Sequence, residues 1–203
     1  MLRPCYGKHT CFRRAGRTSR HSLHLTDESL AGIQTVYQQI TKPNGLLLLL
    51  NPIFGYNEVG EATPGEGLSL HHHPDLRWWA RQPGVYLNTA FLDLREAGGN
   101  QVNAPACDAG TTTLVISPDN KLVLPCYHLG LSELPIENNL YERWHSAEGQ
   151  QGRALAGVAE GCQGCTINCY MQPSFANKVN SYFWRALPST LKYSVEKWVY
   201  QAG

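Results

Sequence analysis

The sequence predicts an α/β protein in three stretches: a strand–helix–strand unit, then a cysteine-bearing hairpin and helix, then helices to the end. Three observations predict it. An amphipathic helix pattern lies between a short alternating strand and the continuous apolar run Leu46–Leu50. Two strand-like stretches meet across Pro118-Asp119-Asn120-Lys121. Five of the seven cysteines fall between Cys107 and Cys169.

Composition limits the functions open to the chain. Its 203 residues, 42% hydrophobic and 16% charged, suffice for a real core and exclude a wholly disordered chain. A net charge of +1 argues against nucleic acid as a partner. The longest apolar run is far short of the ~20 residues that span a bilayer, so no membrane partner is expected. An odd cysteine count argues against a closed disulfide framework, and reduced thiols point to the cytoplasm. Charge is uneven along the chain. Before Asp27 there are six basic residues and no acidic one. Residues 1–21 therefore read as a disordered basic arm, or as a misassigned start or the remnant of a longer protein. The Arg/Ser-rich composition also fits a transit peptide loosely. Arg13-Arg14 has no apolar segment after it and is not a twin-arginine signal.

Each element has its own local reason. Ser22–Thr26 alternates as a strand does. Asp27 or Ser29 opens a helix whose Leu30, Ile33, Val36, Tyr37 and Ile40 share one face. Lys42-Pro43-Asn44-Gly45 stops it. The run Leu46–Leu50 is apolar at every position, as a parallel strand buried on both faces must be. Ligands of parallel sheets sit beyond the carboxyl ends of the strands, so Asn51–Tyr56 is a candidate substrate-side loop. Residues 57–74 read as a Gly- and Pro-rich loop. The segment 60–67 lacks the Lys-Ser/Thr of a phosphate loop. At the end of that loop, His71-His72-His73 could offer one metal two ligands at most. Asp75–Arg81 reads as a helix that buries Trp78-Trp79. Gly84–Thr89 is a strand. Ala90–Ala97 is a helix with a solvated charge cluster (Asp93, Arg95, Glu96), stopped by Gly98-Gly99-Asn100.

In the second half, Thr113–Ser117 and Leu122–Leu124 form a hairpin, because Pro118 presets the turn and Asn120 tolerates the left-handed region. A helix runs from Leu140 to Ala147, capped by Asn139 and ended by Gly149. Residues 149–161 read as loose. A helix carrying Phe175, Val179, Tyr182, Phe183 and Ala186 follows, broken by Pro188-Ser189. A last helix carries Leu191, Val195, Trp198 and Val199.

The hairpin brings Cys107 and Cys126 towards each other, and Cys162-Gln-Gly-Cys165 adds two more thiols, with Cys169 close behind. Four thiolates suit a [4Fe–4S] cluster or a structural zinc, and spacing alone leaves both open. Tyr127 and His128 could shape that environment or simply pack beside the hairpin.

The segment from Cys107 through Pro118-Asp119-Asn120 to Pro125-Cys126 resembles the start of the SPASM/twitch domain of radical SAM proteins. Leu140–Ser146, with its Trp-x-Ser element, and the Cys-x2-Cys at 162–165 continue the pattern in order. The resemblance covers residues 107–169 well. It implies a remnant of a partial (βα) TIM-like barrel over residues 22–104, a SPASM/twitch lobe over 105–170 and carboxyl-terminal helices over 171–203. It also implies an auxiliary [4Fe–4S] cluster on Cys107, Cys126, Cys162 and Cys165. Such a cluster anchors a substrate or passes electrons. Cys169 has no fixed place in the shorter twitch pattern, and could substitute as a metal ligand or be buried. The partners implied are a peptide, protein or small-molecule substrate and an electron donor or acceptor protein.

The Cys-x3-Cys-x2-Cys motif that supports S-adenosylmethionine cleavage is absent, and Cys5 and Cys11 do not replace it. S-adenosylmethionine is therefore expected only in a complete parent enzyme. The chain reads as a truncated or degenerate member, inactive alone. The alternative is a zinc-stabilised four-cysteine scaffold or binding module without redox chemistry.

Overall fold

The run Leu46–Leu50 folds as a strand because its side chains meet apolar neighbours on both faces. In the computed structural model, which describes residues 20–56, 62–137 and 139–202, β1 (Arg20–Leu25) pairs in parallel with β2 (Leu47–Pro52). Arg20 and His21 thus belong to a strand rather than to the predicted basic arm; the rest of that arm, with Cys5 and Cys11, lies outside the described residues. Between the strands, α1 (Gly32–Val36) runs into a π-helical turn over Tyr37–Thr41. That wider turn shifts the phase of the apolar face. Thr41 points inward and Ile40 is exposed, contrary to the regular periodicity predicted.

β3 (Phe54–Tyr56) and β4 (Ala62–Gly67) pair antiparallel, so part of the predicted 57–74 loop is a strand. Residues 57–61 lie outside the described residues. α2 (His73–Ala80) begins two residues earlier than predicted, because Pro74 in its first turn has no N–H to leave unpaired. Trp79 packs edge-on against Tyr37, but Trp78 is exposed rather than buried. β5 (Val85–Tyr86) completes a parallel sheet of order β1-β2-β5. It is shorter than predicted because Asn88 leaves the strand to cap α3 (Thr89–Glu96), accepting the Ala90 N–H at 3.1 Å.

Arg95 corrects another expectation. It is buried, and its guanidinium donates to the carbonyls of Ile53 (3.2 Å) and Leu68. Of the predicted solvated cluster, Asp93 and Glu96 do form an ionic group, through Arg77. Arg95 instead holds the segments flanking the β3–β4 pair onto α3.

The cysteine-bearing lobe begins with β6 (Val115–Ile116), β7 (Lys121–Leu124) and β8 (Ser132–Pro135), an antiparallel meander with one strand more than the predicted hairpin. Asn120 takes φ 60°, as its turn position requires, and its side-chain amide donates to the Ile136 carbonyl at 2.7 Å. Glycine would make the turn but not that link to the third strand. α4 (Leu140–His145) is capped by Asn139. α5 (Ala147–Ala154) occupies much of the stretch read as loose, because Ser146 restarts the helix by accepting the Gly149 N–H at 3.1 Å.

α6 (Asn168–Asn177) and α7 (Ser181–Ala202) follow. The break falls at Asn180, whose side chain caps α7, and not at Pro188, which lies inside α7. The Trp184 carbonyl left without a helical partner by Pro188 belongs to an exposed residue, where water can serve it.

The core has two parts. Leu25, Leu48, Leu50, Leu68, Val85 and Leu92 gather around the sheet. Phe91, Leu94, Cys107, Cys126, Met171 and Phe175 gather under the cysteine lobe. α3 serves both, through Leu92 on one side and Phe91 and Leu94 on the other. Among the described residues no helix is long and apolar enough to cross a membrane.

Leu48 is fully buried on the central strand. Leu48→Ala is expected to cost about 3 kcal/mol by urea denaturation, whereas Trp78→Ala, at an exposed site, should fall within about 0.5 kcal/mol of the parent.

Candidate metal centre

Four segments converge on one buried pocket. Cys107 stands in the loop after α3, and Cys126 follows β7, where the meander returns to the same place. Cys162 closes a 3-10 turn over Glu160–Cys162, and Cys165 precedes α6. All five described cysteines are free thiols: Cys107, Cys126 and Cys162 buried, Cys165 half-buried and Cys169 exposed. Each pair among Cys107, Cys126, Cys162 and Cys165 is close enough for one thiolate to raise the pKa of the other. Cys169, in the first turn of α6, is exposed and acts in this way on Cys126. The structure thus brings four of the five predicted ligands into one mutual set and leaves the fifth beside it. Among the described residues, no group of three or more His, Cys, Asp or Glu side chains is closed tightly enough to hold a single ion as it stands.

The backbone is aimed at the sulfurs. Cys107 accepts the Ala109 N–H, Cys126 those of His128 and Leu129, Cys162 those of Gly157 and Ala159, and Cys165 that of Ile167. Such donors stabilise thiolates. Without a cation, desolvation wins over them. Burial and the neighbouring thiols push Cys107 up to about 11 and Cys165 up to about 12. Burial raises Cys126 and Cys162 as well. The four are protonated at neutral pH, and a bound metal would have to displace those protons.

Asn100 fastens the pocket. It is fully buried. Its Oδ1 accepts the N–H groups of Ala106 (2.9 Å) and Cys107 (3.2 Å), and its Nδ2 donates to the carbonyls of Gly157 (2.8 Å) and Cys162 (3.1 Å). Its own N–H donates to the Cys165 carbonyl and its carbonyl accepts the Gly164 N–H. One side chain and one peptide unit therefore tie three of the four cysteine segments together. In the sequence Asn100 reads only as part of a helix stop, and nothing in its neighbours marks it out. Gly157 has φ 76°, and a Cβ there would meet Pro105 Cβ at 2.7 Å and the Cys107 carbonyl at 2.9 Å. Ser174, also unanticipated, is fully buried in α6. It accepts the Asp108 N–H at 2.7 Å and holds the residue after Cys107. Trp144 of the Trp-x-Ser element donates its indole N–H to the Gly110 carbonyl at 2.8 Å, while Arg153 lies over its ring.

Beside the thiols lies a cleft of about 770 Å³. His24, Asn51 and Tyr86 reach it from the ends of the parallel strands, His128, Asn168 and Cys169 from the cysteine lobe. The predicted substrate-side stretch contributes Asn51, Pro52, Ile53 and Phe54, though as the end of β2 and the start of β3 rather than as a loop. Asn168 donates to Asn51 at 3.1 Å, which joins the two halves of the molecule across the cleft. Tyr127 is exposed, with its N–H donating to the Tyr170 hydroxyl at 3.1 Å, and His128 packs edge-on with Phe54 and Tyr170. The triple histidine is dispersed. His73 is buried against Glu96 at 2.9 Å, and His71 and His72 lie against each other.

No family model, curated protein or solved structure matches the chain.

Asn100→Ala strands four buried backbone groups. The loss should be about 3 kcal/mol or more by denaturant titration, with metal retention falling in parallel. pH gives a second test. The fold holds the protons of Cys107 and Cys165 more tightly than the unfolded chain, whose thiols ionise near ~8.5. The stability they lend is complete below that value and is lost as pH rises towards about 11 and about 12. The denaturation midpoint of reduced, metal-free protein should fall between those limits, and a flat profile would contradict the burial described.

Proposed function

We propose that residues 105–170 are a SPASM/twitch-type lobe that holds an auxiliary [4Fe–4S] cluster on Cys107, Cys126, Cys162 and Cys165. The lobe would belong to a radical SAM-type protein, and β1, α1, β2 and β5 would be the remnant of its partial barrel. The observation that carries the reading is the mutual set of four thiols within one cradle of backbone N–H donors. Four thiolates on one tetrahedral zinc sit about 3.8 Å apart, as ~2.3 Å bonds require. A four-iron cluster would spread the same four ligands further apart, and metal content decides between the two.

When bound, such a cluster supplies a one-electron redox centre or an anchoring iron. The chain's own residues would do the rest. Asn100 holds three ligand segments in register. Tyr170 fixes the backbone after Cys126, and its own hydroxyl is pushed up to about 12 by burial and the nearby thiols, so it stays protonated. Asn51, Asn168 and Gln172 offer amides to a polar substrate in the cleft, against the apolar wall of Pro52, Ile53 and Phe54. That substrate would be a peptide, a protein segment or a small molecule, with a separate protein exchanging electrons. With no Cys-x3-Cys-x2-Cys motif in the sequence, cleavage of S-adenosylmethionine is not among the activities assigned to this chain.

Anaerobic reconstitution with iron, sulfide and zinc offered together tests the assignment. About four irons per chain and broad absorption near ~400 nm are expected. Cys107→Ala, Cys126→Ala, Cys162→Ala and Cys165→Ala should each abolish both, while Cys169→Ala keeps them. One zinc per chain and no colour would replace the cluster by a structural four-cysteine site.

A further inference from the structure

α7 is apolar on two sides. Its inner side is anchored: Ala186 is buried, Tyr193 lies against Tyr86 with ring centres 4.6 Å apart, Ser189 accepts the Thr89 N–H, and Lys192 donates to the carbonyls of Gln82 and Val85. These contacts fix the rotation of the helix about its axis. The opposite side carries Trp184 (61% exposed), Leu191 (56%), Val195 (62%), Trp198 (70%) and Val199 (53%), with Pro188 exposed among them. At ~100° per residue they occupy a stripe about 100° wide. Trp184, Pro188, Leu191, Val195 and Trp198 follow one another at steps of four, three, four and three residues. That is the spacing of a helix made to face another helix.

The stripe is also symmetric along its length. Trp184 and Trp198 stand seven residues on either side of Leu191. A second copy laid antiparallel, with the two-fold axis at Leu191, puts each Trp184 against the other copy's Trp198. It also opposes the two helix dipoles. Covering these side chains on both copies would remove on the order of 1,300 Å² from water, within the ~1,200–2,000 Å² that stable interfaces bury. We propose that α7 is a self-association surface, and that a second copy of this chain packs on it antiparallel through Trp184, Leu191 and Trp198. The proposal does not depend on what the cysteines hold.

Sedimentation equilibrium of the full chain tests it. The parent should be a dimer. Leu191→Glu should raise the dissociation constant about 100-fold or more by placing two carboxylates at the two-fold axis. Val179→Glu, exposed but off the stripe, should leave it unchanged, with circular dichroism reporting the fold of each variant. Trp184→Lys and Trp198→Glu should each weaken the dimer, and mixing the two should restore much of it, because only the antiparallel arrangement opposes the new charges. A parent chain that stays monomeric up to its solubility limit, or a dimer indifferent to Leu191→Glu, would overturn the proposal. So would mixing that fails to rescue. A monomer that instead binds another protein through the stripe would assign the surface to that partner.

Discussion

The arrangement of the cysteine lobe rests on the amide of Asn100. Two acceptors and two donors are needed at one buried point, on one segment six and seven residues further along the chain and on another 57 and 62 residues further along it. A primary amide is the neutral side chain that can accept two hydrogen bonds at one atom and donate two from another. A carboxylate would lose both donor bonds and add a charge beside buried thiols. An aliphatic residue of the same size would leave all four groups unpaired in a site where each costs about 1–3 kcal/mol. The short meander and 3-10 turn have little regular structure to hold them, so the clasp and the N–H groups around the sulfurs do what a longer sheet does elsewhere.

The position of the cleft follows from the parallel sheet. β2 is central, and near its carboxyl end Asn51 donates to Ser22 of β1 at 2.6 Å, which leaves its Oδ1 free to accept from beyond the sheet. There it meets Asn168, one residue before Cys169. An amide–amide contact thus links the carboxyl ends of the strands to the thiol-bearing lobe, beside the packing of Phe54 on His128 in the apolar wall of β3. Arg95 secures that wall from behind, which explains a buried guanidinium with two backbone carbonyls as partners.

The legible parts of the sequence were those with a local or periodic cause. The apolar run of β2, the Pro-Asp-Asn turn, the Asn139 cap and the clustering of Cys107, Cys126, Cys162 and Cys165 each carry their reason within a few residues. What was not legible has a non-local cause. Arg95 reads as a surface charge until the carbonyls of Ile53 and Leu68 are placed against it. Asn100 reads as a turn residue until four distant backbone groups need it. Pro188 reads as a break, yet α7 carries it on its exposed stripe and continues through it. The Gly-rich stretch after Ala147 reads as loose because propensity outweighs a cap at Ser146 that only a restarted helix reveals. The π-helical turn at Tyr37–Thr41 left no trace in the periodicity, since one inserted residue merely rotates the face that follows.

α3 is shared between the two cores, and this has a consequence for how the molecule comes apart. Leu92 cannot leave the sheet side without withdrawing Phe91 and Leu94 from beneath Cys107 and Cys126. Melting of the sheet and exposure of the thiols are therefore one cooperative event rather than two. Oxidants in solution meet Cys169 first, because it alone among the five described thiols is already exposed.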